Sequence, residues 1–84
     1  MRVEILLFAS LKDELGGTFA IEVPESRPGE ATVRALREAF LAASPAGARL
    51  GKRILVAVNE RFAGDADPVR PGDTVAFLPP VAGG

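Results

Sequence analysis

At 84 residues, 48% hydrophobic and 25% charged with a formal net charge of −1, the chain reads as one small folded domain, of a size that buries only about 60–65% of its unfolded surface. It has neither the basic surplus of a nucleic-acid binder nor an acidic tail. Cys and His are both absent, which removes disulfides, thiol nucleophiles, zinc ligation by these residues and the commonest general base.

Residues 2–8, RVEILLF, alternate as a strand. Val3, Ile5 and Leu7 form one set, facing the core, and Arg2, Glu4, Leu6 and Phe8 the other. The charges in the second set imply solvent, which leaves Phe8 exposed at its far end. Residues 10–15 read as a turn or two of helix closed by Gly16-Gly17, where positive φ is freely available. Residues 18–23 alternate again, with Phe19, Ile21 and Val23 on one face, until Pro24 ends the run. The first two strands therefore form a hairpin across that short connection.

The SRPGE segment is a loop, and Thr32 suits the N-cap of the helix that follows. In that helix Val33, Leu36 and Phe40 fall on one face, with Arg34, Arg37 and Glu38 around the rest, and the run stops near Ser44-Pro45. Residues 45–52 contain two glycines and little periodicity, and read as a loop. Residues 53–58, RILVAV, form a strand, Asn59-Glu60 a tight turn, and residues 61–63 a short return. Pro71-Gly72 suits the centre of a type II turn. Residues 74–78 make the last strand, with Val75 and Phe77 on one face, and Pro79 ends it because it cannot donate to a ladder.

The order β-β-α-β-(β)-β leaves one main helix to cover one face of a mixed sheet of four or five strands, an α+β architecture of the β-grasp or ubiquitin-like kind. The domain spans residues 1–78, and residues 79–84 form an extended tail. The first and last strands are candidates for neighbours in mid-sheet, although periodicity alone does not establish the pairing.

The tail, PPVAGG, reaches about 20 Å if fully extended. Pro79-Pro80 hold its base extended, and Gly83-Gly84 pass where side chains cannot. A terminal carboxylate, with a pKa of about 3.3–3.7, is ionised and a poor electrophile at neutral pH, so chemistry there needs activation such as adenylation. The competing reading is a frayed end that contains glycine.

Phe8, Leu78 and Phe62 are apolar residues at positions that should be wet. If the first and last strands are neighbours, Phe8 and Leu78 share an exposed patch beside the tail root, and such patches mark interaction sites. A covering loop is the alternative. The basic cluster Arg49, Lys52 and Arg53 reads as solvated surface, and the acidic residues Asp13, Glu14, Asp65 and Asp67 as solvated turns. The apolar run at residues 5–9 is far too short to span a bilayer, and the N-terminal stretch lacks a secretory layout. A cytoplasmic protein without membrane or nucleic-acid partners is expected.

Four stretches, ILLFASLKDELG, ATVRALREAF, LVAVNERF and PVRPGDTVAFLPPVAGG, resemble the small sulfur-carrier subunits of molybdopterin synthase, a ubiquitin-like family. The resemblance covers nearly the whole chain and is most specific at the end, where GD, VAF, PPV and GG follow in the family's order. It implies that an activating enzyme adenylates the Gly84 carboxylate with ATP and that a sulfur donor protein then supplies sulfur. The resulting thiocarboxylate is inserted into the large subunit of the synthase, in a heterotetramer, with Gly83 beside it.

Two such deliveries convert cyclic pyranopterin monophosphate into molybdopterin. The chain itself would bind no cofactor or metal and carry no catalytic side chain. Phe8, Phe62 and Leu78 would dock on both partners, with Pro79, Pro80, Val81 and Ala82 contacting them through the tail. Lys12 stands where Arg is frequent and Ala82 where a small hydroxyl residue is frequent. Other readings are a thiamine-type carrier, which is shorter and lacks the FLPPV run, a protein modifier joined to lysines through Gly84, and a pure interaction domain.

Overall fold

The computed structural model describes residues 1–80. In chain order the elements are β1 (Arg2–Leu7), α1 (Ala9–Leu15), β2 (Thr18–Glu22), β3 (Ala31–Thr32), α2 (Val33–Ala43) and α3 (Pro45–Leu50). A 3₁₀ turn (Gly51–Arg53), β4 (Leu55–Val58), β5 (Arg61–Phe62), β6 (Pro68–Val69) and β7 (Val75–Leu78) complete them. The sheet runs β2-β1-β7-β4-β5. β1 and β7 lie parallel at its centre, and every other pair in it is antiparallel. The architecture is the expected β-grasp, with α2 across one face.

Strand alternation decides which face is dry. Val3, Ile5 and Leu7 of β1 are buried, as are Ile21 of β2, Val56 of β4, and Val75 and Phe77 of β7. They meet Val33, Leu36 and Phe40 of α2, all three fully buried. Phe40 packs edge-on against Phe19 and Phe77, with ring centroids 5.3 and 5.0 Å away. Burying such a ring contributes about 1.5–3 kcal/mol, and each edge-to-face pair adds about 0.5–1.5 kcal/mol.

Helix α2 starts where Thr32 turns the chain out of β3. Its hydroxyl oxygen accepts from the Ala35 amide at 3.2 Å. The amides of Val33 and Arg34 donate to the carbonyls of Asp67 and Asp65, both at 3.0 Å. The first amides of the helix are thus satisfied by a cap and by a neighbouring loop. That loop is also tied by side chains, since Asp65 pairs with Arg37 and Arg34.

Residues 45–52, expected to be a loop, are instead helical: α3 and the following 3₁₀ turn. Ser44 closes α2 and caps α3, its hydroxyl accepting from the Gly47 amide at 2.9 Å. Pro45 takes the first helical position, where its missing N–H costs nothing. Gly47 is a packing residue rather than a breaker, because a Cβ there would come within 2.4 Å of the Phe40 carbonyl oxygen. The same turn takes Arg53 out of the strand expected from residue 53, and β4 begins at Leu55. The two-residue strands β3 and β6 pair with each other; they are too short for periodicity to reveal.

Candidate functional site

The outer face of the sheet, away from α2, is built by strand register. Leu6 pairs with Ala76, Ala76 with Ala57, and Ala57 with Phe62, so one row crosses four strands without a charge. The next row toward the chain's end holds Leu55 opposite Leu78. Phe8 continues the parity of Leu6, because its backbone is still extended at φ −125° and ψ 160°. Arg2 and Glu4 occupy the other end of β1 on this face, paired with Glu22 and Ala20. The face therefore grades from charged to apolar along β1, and the apolar end is where β7 runs out into Pro79 and Pro80.

Burial separates this patch from the core. Phe62 is 73% exposed, Phe8 46%, Leu55 41% and Leu6 38%, whereas Leu78, Pro79 and Pro80 are half-buried. Four large apolar side chains on one face leave an area of the kind that marks an interaction site. Phe8, Phe62 and Leu78, singled out from the sequence, all lie on it. Leu6 and Leu55 were missed as members. Leu6 carried a signal, since it shares Phe8's parity. Leu55 shares parity with the charged Arg53, but Arg53 lies in the 3₁₀ turn outside β4, and it is the register opposite Leu78 that assigns the face of Leu55. The proposed roles of Val81, Ala82, Gly83 and Gly84 fall outside the described residues.

The margins of the patch are fixed by hydrogen bonds. At one margin Asn59 and Glu60 join β4 to β5 with φ of 52° and 68°, the left-handed geometry a two-residue hairpin requires. The Asn59 amide donates to the Thr74 carbonyl at 2.8 Å, and the Thr74 amide returns a bond to Asn59 Oδ1 at 3.0 Å. Asn59 Nδ2 also donates to Asp73 Oδ1 at 3.1 Å. The Arg70 amide and then this Asn59 bond hold the Asp73 carboxyl below its ordinary value, since both stabilise the anion. Gly72, at φ 91°, completes the expected turn into β7.

The charged clusters have structural partners. Arg49 pairs with Glu14 at 2.8 Å, tying α3 to α1, and Arg53 donates to the carbonyls of Leu50 and Arg49. Asp67 accepts from the Gly64 amide at 2.8 Å and shapes its own loop. A cleft of about 230 Å³ lies between residues 1–4 and 70–73, at the charged end of the sheet and away from the tail root. Among the described residues, no helix is long and apolar enough to cross a membrane.

Known proteins resemble this chain in sequence and in fold. The molybdopterin synthase sulfur carrier subunit of Escherichia coli (strain K12) is 42% identical over 84 residues, covering 98% of this chain and 99% of that protein. The crystal structure of SAMP1 from Haloferax volcanii matches with a TM-score of 0.74 at 31% identity, covering all of both chains. A subunit in the complex of subunits 1 and 2 of the molybdopterin-converting factor from Helicobacter pylori 26695 matches with a TM-score of 0.65 at 25% identity, also over the full length of both. The model of the ThiS family matches residues 5–84, nearly the whole of the described β-grasp sheet and helices included: the chain belongs to the ThiS family.

Proposed function

We propose that this chain is a sulfur carrier of molybdenum cofactor biosynthesis, working in the cytoplasm as the small subunit of molybdopterin synthase. The observation that carries the reading is the 42% identity to the Escherichia coli subunit of that name across nearly the whole of both chains. The Helicobacter pylori complex of subunits 1 and 2 supports a large subunit as the partner. The apolar face around Leu6, Phe8, Leu55 and Phe62 is the surface on which it docks.

The chemistry follows from what the tail lacks. Gly84 offers an ionised carboxylate, which resists nucleophiles until an activating enzyme joins it to AMP from ATP, releasing pyrophosphate. A persulfide on a donor protein then displaces AMP to give an acyl disulfide. A thiol cleaves its S–S bond, becoming a disulfide with the donor sulfur and leaving the thiocarboxylate on Gly84, so the chain carries sulfur and does not itself catalyse. The domain holds the tail root at the edge of the docking face, and the large subunit supplies the catalytic side chains.

Intact-mass measurement after incubation with the cognate activating enzyme, ATP and a sulfur donor tests this. One oxygen of the chain should be exchanged for sulfur, and removing Gly84 should abolish the exchange while the thermal unfolding curve stays in place. An unchanged mass under conditions that load an established carrier would overturn the reading.

A further inference from the structure

The non-glycine residues with positive φ among the described residues are Ala9, Asn59 and Glu60, and all three stand at the margins of the apolar face. Ala9, at φ 52°, directly follows Phe8; Glu60, at φ 68°, lies two residues before Phe62. Left-handed backbone is disfavoured for residues with a Cβ, and Asn tolerates it better than Ala or Glu. The unfavourable conformations therefore sit beside the two most exposed large apolar side chains.

Neither side chain helps the core, since Ala9 and Glu60 are both exposed. Glycine would serve the fold equally well at both positions and would suit the local backbone better. The surroundings hold the conformations instead. Ahead of Ala9, the Leu7 amide donates to the Gly17 carbonyl at 2.9 Å; behind it, Leu11 is 1% exposed and its amide donates to the Phe8 carbonyl at 3.2 Å. Around Glu60, Asn59 is clamped to Thr74 and Asp73, and β4 pairs with β5 through Val58–Arg61 and Ala57–Phe62. A residue with a Cβ has a small left-handed well, whereas glycine has a wide one. Once the neighbours force that well, the Cβ narrows the directions in which the adjoining Phe can swing.

We infer that Ala9 and Glu60 are positioning residues for docking: their left-handed backbone fixes Phe8 and Phe62 on the outer face before the partner arrives. This rests on the docking surface assigned under Proposed function. Strain retained beside a recognition surface, where it pre-organises the contact, lowers the ordering cost of binding.

The test measures two quantities on the full chain, the unfolding midpoint and the affinity for the cognate large subunit. Ala9→Gly and Glu60→Gly should leave the midpoint unchanged or raise it by up to about 5 °C. Each should weaken binding about three- to tenfold, mainly through faster dissociation. Ala9→Asn and Glu60→Asn, which keep a Cβ and suit the left-handed region, should restore affinity to near the wild-type value. In a Phe8→Ala background Ala9→Gly should have no further effect, and likewise Glu60→Gly in Phe62→Ala. Unchanged or tighter binding by the glycine variants, or a lowered midpoint, overturns the inference. If Phe8→Ala and Phe62→Ala themselves bind as well as wild type, it is the docking surface that fails.

Discussion

Replacing Phe62 by Ala separates what this residue does for the fold from what it does for a partner. The ring is 73% exposed in the isolated chain, so only about a quarter of a surface of about 200 Å² is withdrawn from water by folding. At about 25 cal/mol per Å², that quarter contributes about 1 kcal/mol to stability. The exposed remainder, if fully covered on docking, is worth up to about 3.5 kcal/mol by the same coefficient, within the range of an interface hot spot. Phe77, at 0% exposure on the other face, provides the contrast, since truncating a buried Phe costs about 3–5 kcal/mol of stability.

The expected result is that Phe62→Ala lowers the unfolding midpoint by less than about 10 °C and weakens binding to the large subunit about 30- to 300-fold. Phe77→Ala should unfold most of the population. Far-UV circular dichroism suits the stability arm, because the chain has neither Trp nor Tyr, and titration calorimetry suits the binding arm. If Phe62→Ala destabilises as much as Phe77→Ala, the ring is core; if binding is untouched, the outer face is not the docking surface.

Gly47→Ala should lower stability by about 1–3 kcal/mol, because its Cβ would lie 2.4 Å from the Phe40 carbonyl oxygen and 3.0 Å from Leu41 Cα, backbone atoms that no rotamer change can move. Gly64→Ala, whose Cβ meets only Asp67 Oδ2 at 4.0 Å, should be near neutral, and equal midpoints for the two variants would remove α3 from its described position. Asp73 titrates below its ordinary 3.8 in the fold, chiefly because its carboxylate accepts from the Arg70 amide and then from Asn59. Its stabilisation is therefore complete above the unfolded value and is lost as pH falls through the folded one, below about 3.8. Asp73→Asn should be less stable than wild type at neutral pH, and the gap should close in acid; a gap independent of pH in denaturant titrations would refute that assignment.

The candidate site was partly legible for reasons that differ residue by residue. Phe8 could be read because a single strand carried two charges on the same parity, and Leu78 because its strand alternated cleanly up to Pro79. Phe62 was visible only as an apolar residue after a turn. Leu55 was hidden because the run ILVAV gives period-two alternation no contrast, and the one charge of its parity, Arg53, belongs to the 3₁₀ turn. Helix α3 was hidden by its glycines: Gly47 looks like a breaker until the Phe40 carbonyl is placed against it, and the capping serine sits at the end of another helix.

The amino-acid sequence alone determined the elements whose signals are local: the alternation in β1, β2 and β7, the Thr32 cap, the Val33, Leu36 and Phe40 stripe, and the Asn59-Glu60 and Pro71-Gly72 turns. These follow from side-chain period and backbone preference over a few residues, and together with the family's closing motif they were enough to name a β-grasp fold. Tertiary structure alone decided which apolar residues share a face. The row Leu6, Ala76, Ala57 and Phe62 joins strands far apart in the chain, and a shift of one residue in any pairing would turn that strand's side chains to the opposite face. Register is set by the whole sheet closing on α2, so the apolar outer face exists only once the core has formed behind it.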